Sequence, residues 1–247
     1  KPLLQLSFEA IVKAGFYQIY LLGKEGDIVD YERIAASFPG FRAVLFRDGL
    51  LPGTMINTAL QEICTPYALV LWNDMQFETP AFSSRFFEKL QEKKALCIVP
   101  RLFDVFDQTV PSVKHPARQK KRFVVIALPP EKDGDYSLYP FDYCGLYDRD
   151  LFLAAGGFDT AMKSAYWQTL DFGMRAWLWG YTIAYSSTLK LKYALDIDPE
   201  DMSICDDYYS FWLRNIAAVY LSDHAVLSGK KLLPFMLVSN LGLARSL

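Results

Sequence analysis

The chain has 247 residues, of which 52% are hydrophobic and 22% are charged, and its formal net charge is −2. This composition is typical of a folded protein with a sizeable core and excludes a disordered chain. A net charge close to zero gives no electrostatic footprint for nucleic acid, so we expect no nucleic-acid partner and only local binding of any anionic ligand.

Cysteine spacing and hydropathy bear on the compartment of the protein. The four cysteines form no Cys-x-x-Cys pair, which argues against a zinc site or a redox motif and favours reduced thiols. No stretch reaches the roughly 20 apolar residues of a membrane-spanning helix, and no signal-peptide pattern is visible. We therefore expect a cytoplasmic protein without a transmembrane segment, for which peripheral contact with a membrane stays open.

Apolar runs alternate with amphipathic segments along the first 100 residues. This alternation predicts an α/β fold of the Rossmann-like kind, with a mostly parallel central sheet flanked by helices. The predicted helices are 3–14, 30–37, 53–63 and 80–93. The predicted strands are 16–22, 43–46, 67–72 and 95–100.

The pattern loosens between 102 and 139, where prolines and the basic run 118–122 predict a long irregular loop. A solvated surface is the simpler interpretation of the basic run, with donor phosphates, an anionic acceptor or a membrane surface as alternatives. Beyond residue 196 the chain turns acidic and then shows helical spacing as far as Tyr220. We therefore predict a domain at 1–195 and a C-terminal helical extension at 196–247 that packs on it or on a partner.

Polar side chains follow the third predicted strand. Asn73 and Asp74 come directly after it, at the edge where open α/β sheets collect their ligands. A carboxylate there can bind a divalent cation that bridges a diphosphate, although capping of the turn is the simpler role. Upstream, Arg47 and Asp48 precede a glycine-containing turn and the predicted helix that carries Asn57. An arginine and a helix N-terminus both suit an anion.

The most specific pattern of the chain lies between residues 145 and 181. Glycines remove the side-chain barrier to close approach of a ligand or a packed helix, and Asp159 suits either a ligand hydroxyl or a helix N-cap. Among the aromatic residues of the predicted helix, we expect Trp167 alone to face a cleft. The residues that make the pattern are Gly156, Gly157, Phe158, Asp159, Asp171, Arg175, Gly180 and Tyr181.

This pattern resembles the acceptor-side half of family 2 glycosyltransferases, and residues 71–77 resemble a degenerate copy of their Asp-x-Asp motif. The resemblance covers most of residues 3–193 and is specific only between 145 and 181. It implies a GT-A fold, a nucleotide-sugar donor, a Mn²⁺ or Mg²⁺ ion and inverting transfer to a hydroxyl in glycan or cell-envelope polysaccharide synthesis. The acceptor would be a saccharide, a lipid-linked molecule or a protein.

The resemblance also implies roles for individual residues. The donor would be bound by Arg47, Asp48, Asn57, Asn73, Asp74, Gly156 and Gly157, with Asp74 also the metal ligand. The acceptor would be bound by Asp159, Trp167 and Arg175, and Asp171 would deprotonate its hydroxyl.

Two departures from the family pattern leave the reaction open. Trp72 stands at the first acidic position of the donor motif. Aligned on Arg175, the family's Glu-Asp positions hold Gln168 and Thr169, and a threonine cannot act as a base at neutral pH. Asp171 is therefore the candidate base, or it merely orients Arg175 in a degenerate domain that binds a nucleotide-sugar or a partner protein without turnover.

Nucleotidyl transfer on a related α/β fold is a third interpretation, but its Gly-rich N-terminal signature is not seen. The first strand that is usual in the family is also not visible before the first predicted helix. Because Lys1 is not an initiator methionine, the numbering is compatible with a start inside a longer product. Contacts with the nucleotide base are therefore not assigned.

Overall fold

The structure is a computed structural model, and it describes residues 11–12, 16–25, 36, 38, 40–78, 84–92, 94–119, 122–220 and 225–227. The helices predicted at 3–14 and 30–37 lie almost entirely outside these residues. Within the described part of the chain, no helix is both long enough and apolar enough to cross a membrane. The cytoplasmic location stays a prediction.

Strands and helices alternate through the first half of the chain, as the sequence predicts. The strands are β1 Ile19–Lys24, β2 Phe41–Phe46, β3 Tyr67–Val70, β4 Met75–Glu78, β5 Ala95–Phe103, β6 Val113–Gln119, β7 Arg122–Leu128, β8 Gly145–Asp148, β9 Thr182–Tyr193, β10 Ala218–Tyr220 and β11 Ala225–Leu227. The helices are α1 Pro52–Glu62, α2 Ser84–Glu92, α3 Arg149–Ala154, α4 Ala165–Leu178 and α5 Asp206–Phe211. The described residues also include a 3₁₀ turn at Phe141–Tyr143 and a π-helical segment at Trp212–Ala217.

A five-stranded sheet in the order β3-β8-β5-β9-β4 forms the centre of the molecule, and β1 and β2 form a separate parallel pair. In the central sheet, β5 and β9 are parallel, whereas the β3–β8, β5–β8 and β4–β9 pairs are antiparallel. The predicted α/β class with a flanked central sheet is confirmed, and the pairing is mixed. A continuous apolar run such as that of β3 indicates burial of both faces and does not by itself give strand direction.

Two hydrophobic clusters cover the two faces of this sheet. One joins α1, α3 and α4 to the sheet and contains a group of packed rings, in which the centroids of Phe158 and Phe172 are 4.5 Å apart. The other packs α2 against the opposite side, with Leu90, Leu102 and Leu146 buried in it. Apolar residues at helical spacing on α1 and α2 supply these contacts, so the residues that repeat along the sequence are the ones that pack in the core.

The segment 102–139 is not the irregular loop that the sequence suggests. It contains a regular antiparallel hairpin in which β6 pairs with β7, from Val113 opposite Leu128 to Gln119 opposite Arg122. Pro116 lies within β6, and in a two-stranded ribbon a proline can occupy a strand because one backbone edge needs no partner. Gln119 and Arg122 of the basic run form the last described pair of this hairpin, and residues 120–121 lie outside the described part.

The C-terminal segment begins as a helix, as predicted, and packs on α4. Phe211 at the end of α5 joins Trp167 and Leu170 of α4 in a third buried cluster. The expected continuation of the helix through Val219 and Tyr220 is wrong, because both residues belong to β10, which pairs with β11. The spacing of a few apolar residues does not separate a helix from a short hairpin. The division into domains at residue 195 stays a prediction.

Candidate functional site

The turn before β8 has an unusual backbone. Asp142 and Tyr143 are consecutive non-glycine residues with φ of 51° and 60°. The Trp72 indole nitrogen donates to the Asp142 carbonyl at 3.0 Å, and the Tyr193 hydroxyl donates to Asp142 Oδ2 at 2.9 Å. The Tyr147 hydroxyl donates to the Tyr143 carbonyl at 2.8 Å. Three side chains therefore hold a conformation that costs energy, as is common where a structure serves a ligand.

A second carboxylate lies near this turn. Asp74 is buried in the turn between β3 and β4, and its carbonyl accepts a hydrogen bond from the Ala194 amide at 3.0 Å. Burial raises the pKa of Asp142 to about 6; the charge of Asp74 adds to this, and the hydrogen bond from Tyr193 opposes it. Trp72 thus holds this turn through its indole nitrogen, and Asp142 supplies a second carboxylate near Asp74.

The donor set decides what kind of metal these residues fit. Among the described residues, no three His, Cys, Asp or Glu side chains converge to hold a metal ion. Mg²⁺ and similar ions are, however, often held by one or two carboxylates together with substrate phosphates and water. Asp74 and Asp142 fit a cation that arrives with a diphosphate, and its charge would offset the repulsion that helps to raise the pKa of Asp142.

A cavity of about 580 Å³ opens beside Asp142 and the N-terminus of α4. Its volume is within the range of small-molecule sites. Aromatic rings of Phe141, Tyr143 and Tyr166 form part of the wall, and Lys163 is its one basic residue among those that the structure describes. The carboxylates in the lining are Asp142, Asp198, Glu200, Asp201, Asp206 and Asp207.

Gln168 and Thr169, at the two positions where the resemblance implies Glu and Asp, are neutral residues with defined partners. Gln168 is fully buried, accepts a hydrogen bond from the Tyr143 hydroxyl at 2.9 Å and donates to the Asp159 carbonyl at 2.8 Å. Thr169 lines the cavity. Its hydroxyl donates to two carbonyl oxygens of its own helix, that of Ala165 at 3.1 Å and that of Tyr166. Gln168 connects α4 to the neighbouring loops, and Thr169 offers the cavity no base.

Asp171 is the centre of a buried polar network and does not line the cavity. Its side chain has no exposed surface, and Oδ2 accepts from Arg175 Nε at 2.8 Å. Oδ1 accepts from Asn215 Nδ2 at 2.7 Å and from Arg214 Nη1 at 3.4 Å. Arg214 also pairs with Asp159. This geometry favours a positioning role for Asp171, which joins α4 to the π-helical segment.

The glycine-containing loop is fixed from both sides. Arg175 donates through Nη2 to the Gly157 carbonyl at 2.6 Å and through Nη1 to the Ala155 carbonyl. Asn57 donates to the Phe158 carbonyl at 2.7 Å and accepts from the Phe158 amide at 2.9 Å. Gly157 has φ of 61°, and a Cβ there would lie 2.6 Å from Asn57 Oδ1. Asn57, Gly157 and Arg175 thus hold the loop itself.

The remaining residues expected to bind the donor are dispersed. Arg47 and Asp48 follow β2 and are exposed, and neither is part of the cavity lining. Asn73 is half-buried in the turn with Asp74. Gly156 has φ of 82°, which explains a glycine at the end of α3 on conformational grounds alone.

Two residues expected to bind the acceptor have other contacts. Trp167 does not face the cavity: its indole nitrogen donates to the Ser203 carbonyl at 3.0 Å, and its ring packs on Phe211. Asp159 accepts from the Ala161 amide at 2.9 Å and pairs with Arg214. Burial opposes ionisation of Asp159, but the hydrogen bond and charge of Arg214 prevail and lower its pKa. Trp167 is therefore buried against the C-terminal segment, and its role in binding an acceptor stays a prediction.

The sequence analysis missed Asp142, Tyr166 and Asn215. Asp142 was visible only as a lone carboxylate inside the aromatic segment 139–147, and nothing in the spacing connects it with Asp74. Tyr166 lines the cavity, and helical spacing alone does not separate it from its aromatic neighbours. Asn215 acts through a contact with Asp171, 44 residues away in the chain, which no local pattern reports.

No protein-family model matches this sequence, and no curated protein sequence matches it. Solved structures do match. GalNAc-T7, solved with UDP, GalNAc and Mn²⁺, is similar with a TM-score of 0.61 at 10% identity, over 83% of this chain and 44% of that one. TarS from S. aureus is similar with a TM-score of 0.57 at 12% identity, over 100% of this chain and 40% of that one.

A shorter TarS chain, residues 1–349 in complex with UDP-GlcNAc, is similar with a TM-score of 0.54 at 12% identity, over 96% of this chain and 64% of that one. The protein described here therefore spans less than two thirds of each of these three chains. Identities this low establish a shared architecture and leave the chemistry to the residues of each site. The chain has the GT-A-like α/β fold of these glycosyltransferases.

Proposed function

We propose that this chain transfers a sugar from a nucleotide-sugar donor to a hydroxyl group of an acceptor. The observation that carries the proposal is the position of Asp142, which lies near Asp74 at the end of β3 and also lines the cavity. A donor-side carboxylate pair and an acceptor-sized space therefore share one residue. Structures of the same fold have been solved with UDP and with UDP-GlcNAc, which supports a nucleoside diphosphate sugar as the donor.

In this proposal the donor diphosphate lies at the edge formed by Asp74 and Asp142. A Mn²⁺ or Mg²⁺ ion bound there would neutralise the charge of the departing diphosphate. The two carboxylates would orient that ion, and Asn73 of the same turn is the nearest amide in sequence. Donor contacts from Arg47, Asp48, Asn57, Gly156 and Gly157 stay predictions.

The reaction is a single displacement at the anomeric carbon. The acceptor oxygen forms a bond to that carbon, the bond to the phosphate oxygen breaks, and the diphosphate leaves with the electron pair while the hydroxyl proton passes to a base. One displacement inverts the configuration. Asp171 can serve as that base only if it gives up its bonds to Arg175 and Asn215, so its role as base is a prediction that the geometry does not favour.

Binding of a nucleotide-sugar without turnover is the second candidate function. Two observations favour it: Thr169 occupies the family's base position, and Asp171 is sequestered from the cavity. A domain of this kind would still bind the donor at the edge formed by Asp74 and Asp142, but it would not catalyse the transfer of the sugar. The biosynthetic pathway and the acceptor type stay predictions under either function.

Calorimetric titration of the 247-residue chain with UDP-GlcNAc, UDP-GalNAc and UDP-glucose, with and without Mn²⁺, tests the proposal. We expect one donor to bind more tightly with Mn²⁺ and to be hydrolysed slowly, and Asp74→Asn to weaken its binding by about tenfold, or about 1.4 kcal/mol. Asp150→Asn, at an exposed ion pair with Arg149, is the matched control. Failure of every nucleotide-sugar to bind would overturn both functions, and binding without hydrolysis or transfer would select the second.

A further inference from the structure

The hairpin formed by β6 and β7 has an unusual charge for this chain. Residues 108–130 contain five lysine and arginine residues and no aspartate or glutamate, although the formal net charge of the whole chain is −2. Lys114 is neutralised by its ion pair with Glu200, at 2.6 Å. Arg118 and Arg122 lie at the far end of the hairpin, in the last two pairs of its register. The hairpin is therefore a positively charged element on a weakly acidic protein.

One face of this hairpin is attached to the body of the protein. Phe123 packs on Phe211 of α5 with the ring centroids 6.1 Å apart, and Val125 packs against the same buried cluster. Residues two apart on a strand share a face, and Ile126 and Leu128 alternate with these two residues. They are 46% and 43% exposed. The hairpin is thus held by one face and presents the other to solvent.

The exposed side chains of the hairpin are almost all apolar. Besides Ile126 and Leu128, the exposed residues whose side chains the structure describes are Pro116, Gln119 and Ala127, and only the glutamine is polar. Exposed strands are normally protected by charged side chains against pairing with other molecules. An apolar surface that lacks this protection and adjoins basic residues indicates an interaction site.

The combination of aliphatic side chains with basic residues indicates the kind of partner. At a membrane, apolar side chains enter the boundary between headgroups and acyl chains, while lysine and arginine attract anionic lipids. Protein interfaces are instead centred on tryptophan, tyrosine and arginine anchors, and single-stranded nucleic acid stacks on aromatic rings. The described exposed side chains of the hairpin include no aromatic ring. A negatively charged lipid surface therefore fits the hairpin best.

We propose that the β6–β7 hairpin docks the protein on a membrane that contains anionic lipids. Ile126 and Leu128 enter the boundary between headgroups and acyl chains, and Arg118 and Arg122 supply the attraction to the lipid phosphates. This docking is independent of the proposed sugar transfer, because none of these four residues belongs to the cavity lining or to the edge formed by Asp74 and Asp142.

Flotation of the 247-residue chain with lipid vesicles tests the docking. One set of vesicles is phosphatidylcholine alone, and in the other phosphatidylglycerol makes up about a third of the lipid. We expect the chain to bind the anionic vesicles at least about tenfold more tightly, since each basic residue near such a surface strengthens binding roughly fivefold. Added salt should weaken this binding by screening the charges.

Two charge variants locate the attraction on the hairpin. Arg118→Gln with Arg122→Gln should weaken binding to the anionic vesicles by more than about tenfold. Arg42→Gln with Arg85→Gln is the matched control, because it removes the same charge from two exposed arginines outside the hairpin. The control should bind like the unchanged chain, since the attraction falls off within a Debye length of the surface.

Two apolar variants test insertion of the exposed face. Ile126→Thr with Leu128→Thr keeps residues that favour strands and should weaken binding at least about tenfold, because less apolar surface is removed from water. Leu45→Thr, at a 47% exposed position of β2, is the control and should have no effect. Thermal unfolding of each variant verifies that the fold is intact.

Failure to bind either set of vesicles, equal binding to both, or equal losses in the hairpin variants and their controls would overturn the proposal. Binding of polyglutamate or duplex DNA as tightly as the anionic vesicles would also overturn it, since the hairpin would then be a general site for polyanions. The donor titrations contain no vesicles, so a chain that binds a nucleotide-sugar but no vesicle would lose only the docking. A chain that binds vesicles but no nucleotide-sugar would lose only the proposed function.

Discussion

At the scale of single residues, Asp171 shows how burial changes the meaning of a motif. Its carboxylate compensates Arg175 and Arg214, and Asn215 satisfies the remaining oxygen. Asp171→Asn would turn an amide N–H toward Arg175 and leave guanidinium charge without its partner. We expect the free energy of unfolding to fall by about 3 kcal/mol, measured by urea denaturation, because breaking one partner of a buried ion pair strands the other.

Asp150→Asn is the control for this experiment, since Asp150 pairs with Arg149 at the surface with 80% of its side chain exposed. Exposed pairs contribute little, so this variant should lose less than about 1 kcal/mol. A stable Asp171→Asn protein with a shifted pH profile of turnover would contradict the positioning role and restore Asp171 as the base.

Asp142 has a different effect, because its carboxylate destabilises the fold at neutral pH. Burial, with the charge of Asp74, raises its pKa to about 6, whereas an aspartate in an unfolded chain has a pKa of about 3.9. Between about pH 4 and pH 6 the folded state holds more protons, so stability falls as the pH rises and stays reduced above pH 6. Two units of pKa correspond to at most about 3 kcal/mol.

Asp142→Asn should therefore raise the free energy of unfolding at pH 7 by about 1 to 3 kcal/mol and flatten its fall between about pH 4 and pH 6. Asparagine keeps an acceptor for Tyr193 and tolerates the φ of 51° well. Urea unfolding at several pH values measures the effect, with the exposed Asp48→Asn as control. An unchanged pH profile would show that Asp142 is not the group that titrates.

At the scale of elements, the sequence predicted those strands and helices whose apolar pattern is strong. Helix α1 appears close to its expected position because its buried residues recur at helical spacing, and strand β5 does so because its apolar run is nearly continuous. The hairpin β6–β7 was missed because Pro116 reads as a loop signal, and β10 was taken for helix because it is only three residues long. The carboxylate pair of the candidate site was missed for another reason, since its members come from two separate turns.

The start of α4 depends on a residue of the next helix. Asp207 accepts from the amides of Lys163 and Ser164, which otherwise have no partner inside α4. Asp207→Ala should lower the free energy of unfolding by about 1 to 2 kcal/mol, within the range of helix-cap losses, and should speed hydrogen exchange of these two amides. Asp206→Ala, at the exposed neighbour, is the matched control, and equal exchange rates in both variants would remove the capping role.

At the scale of the whole molecule, the proposed donor edge and the cavity meet at one turn. The fold brings the end of β3 next to the turn before β8, so Asp74 and Asp142 come together although 68 residues separate them. The sequence resemblance was sufficient to predict the architecture, because glycines and core residues occupy positions that the packing of the fold requires. The composition of the site depended on contacts between distant segments, and these exist only in the folded chain.

This arrangement predicts that metal and nucleotide bind together. Among the described residues no third metal ligand joins Asp74 and Asp142, so the pair should hold Mn²⁺ weakly, and diphosphate oxygens would complete its coordination. In calorimetric titrations of the chain, we expect UDP to tighten Mn²⁺ binding at least about tenfold, and Mn²⁺ to tighten UDP binding by the same factor, because coupling between two ligands is reciprocal. Asp74→Asn should abolish this coupling, while Asp150→Asn should preserve it. If Mn²⁺ binds equally tightly with and without UDP, the protein alone completes the coordination of the ion. If UDP binds equally tightly with and without Mn²⁺, the donor edge does not use a cation.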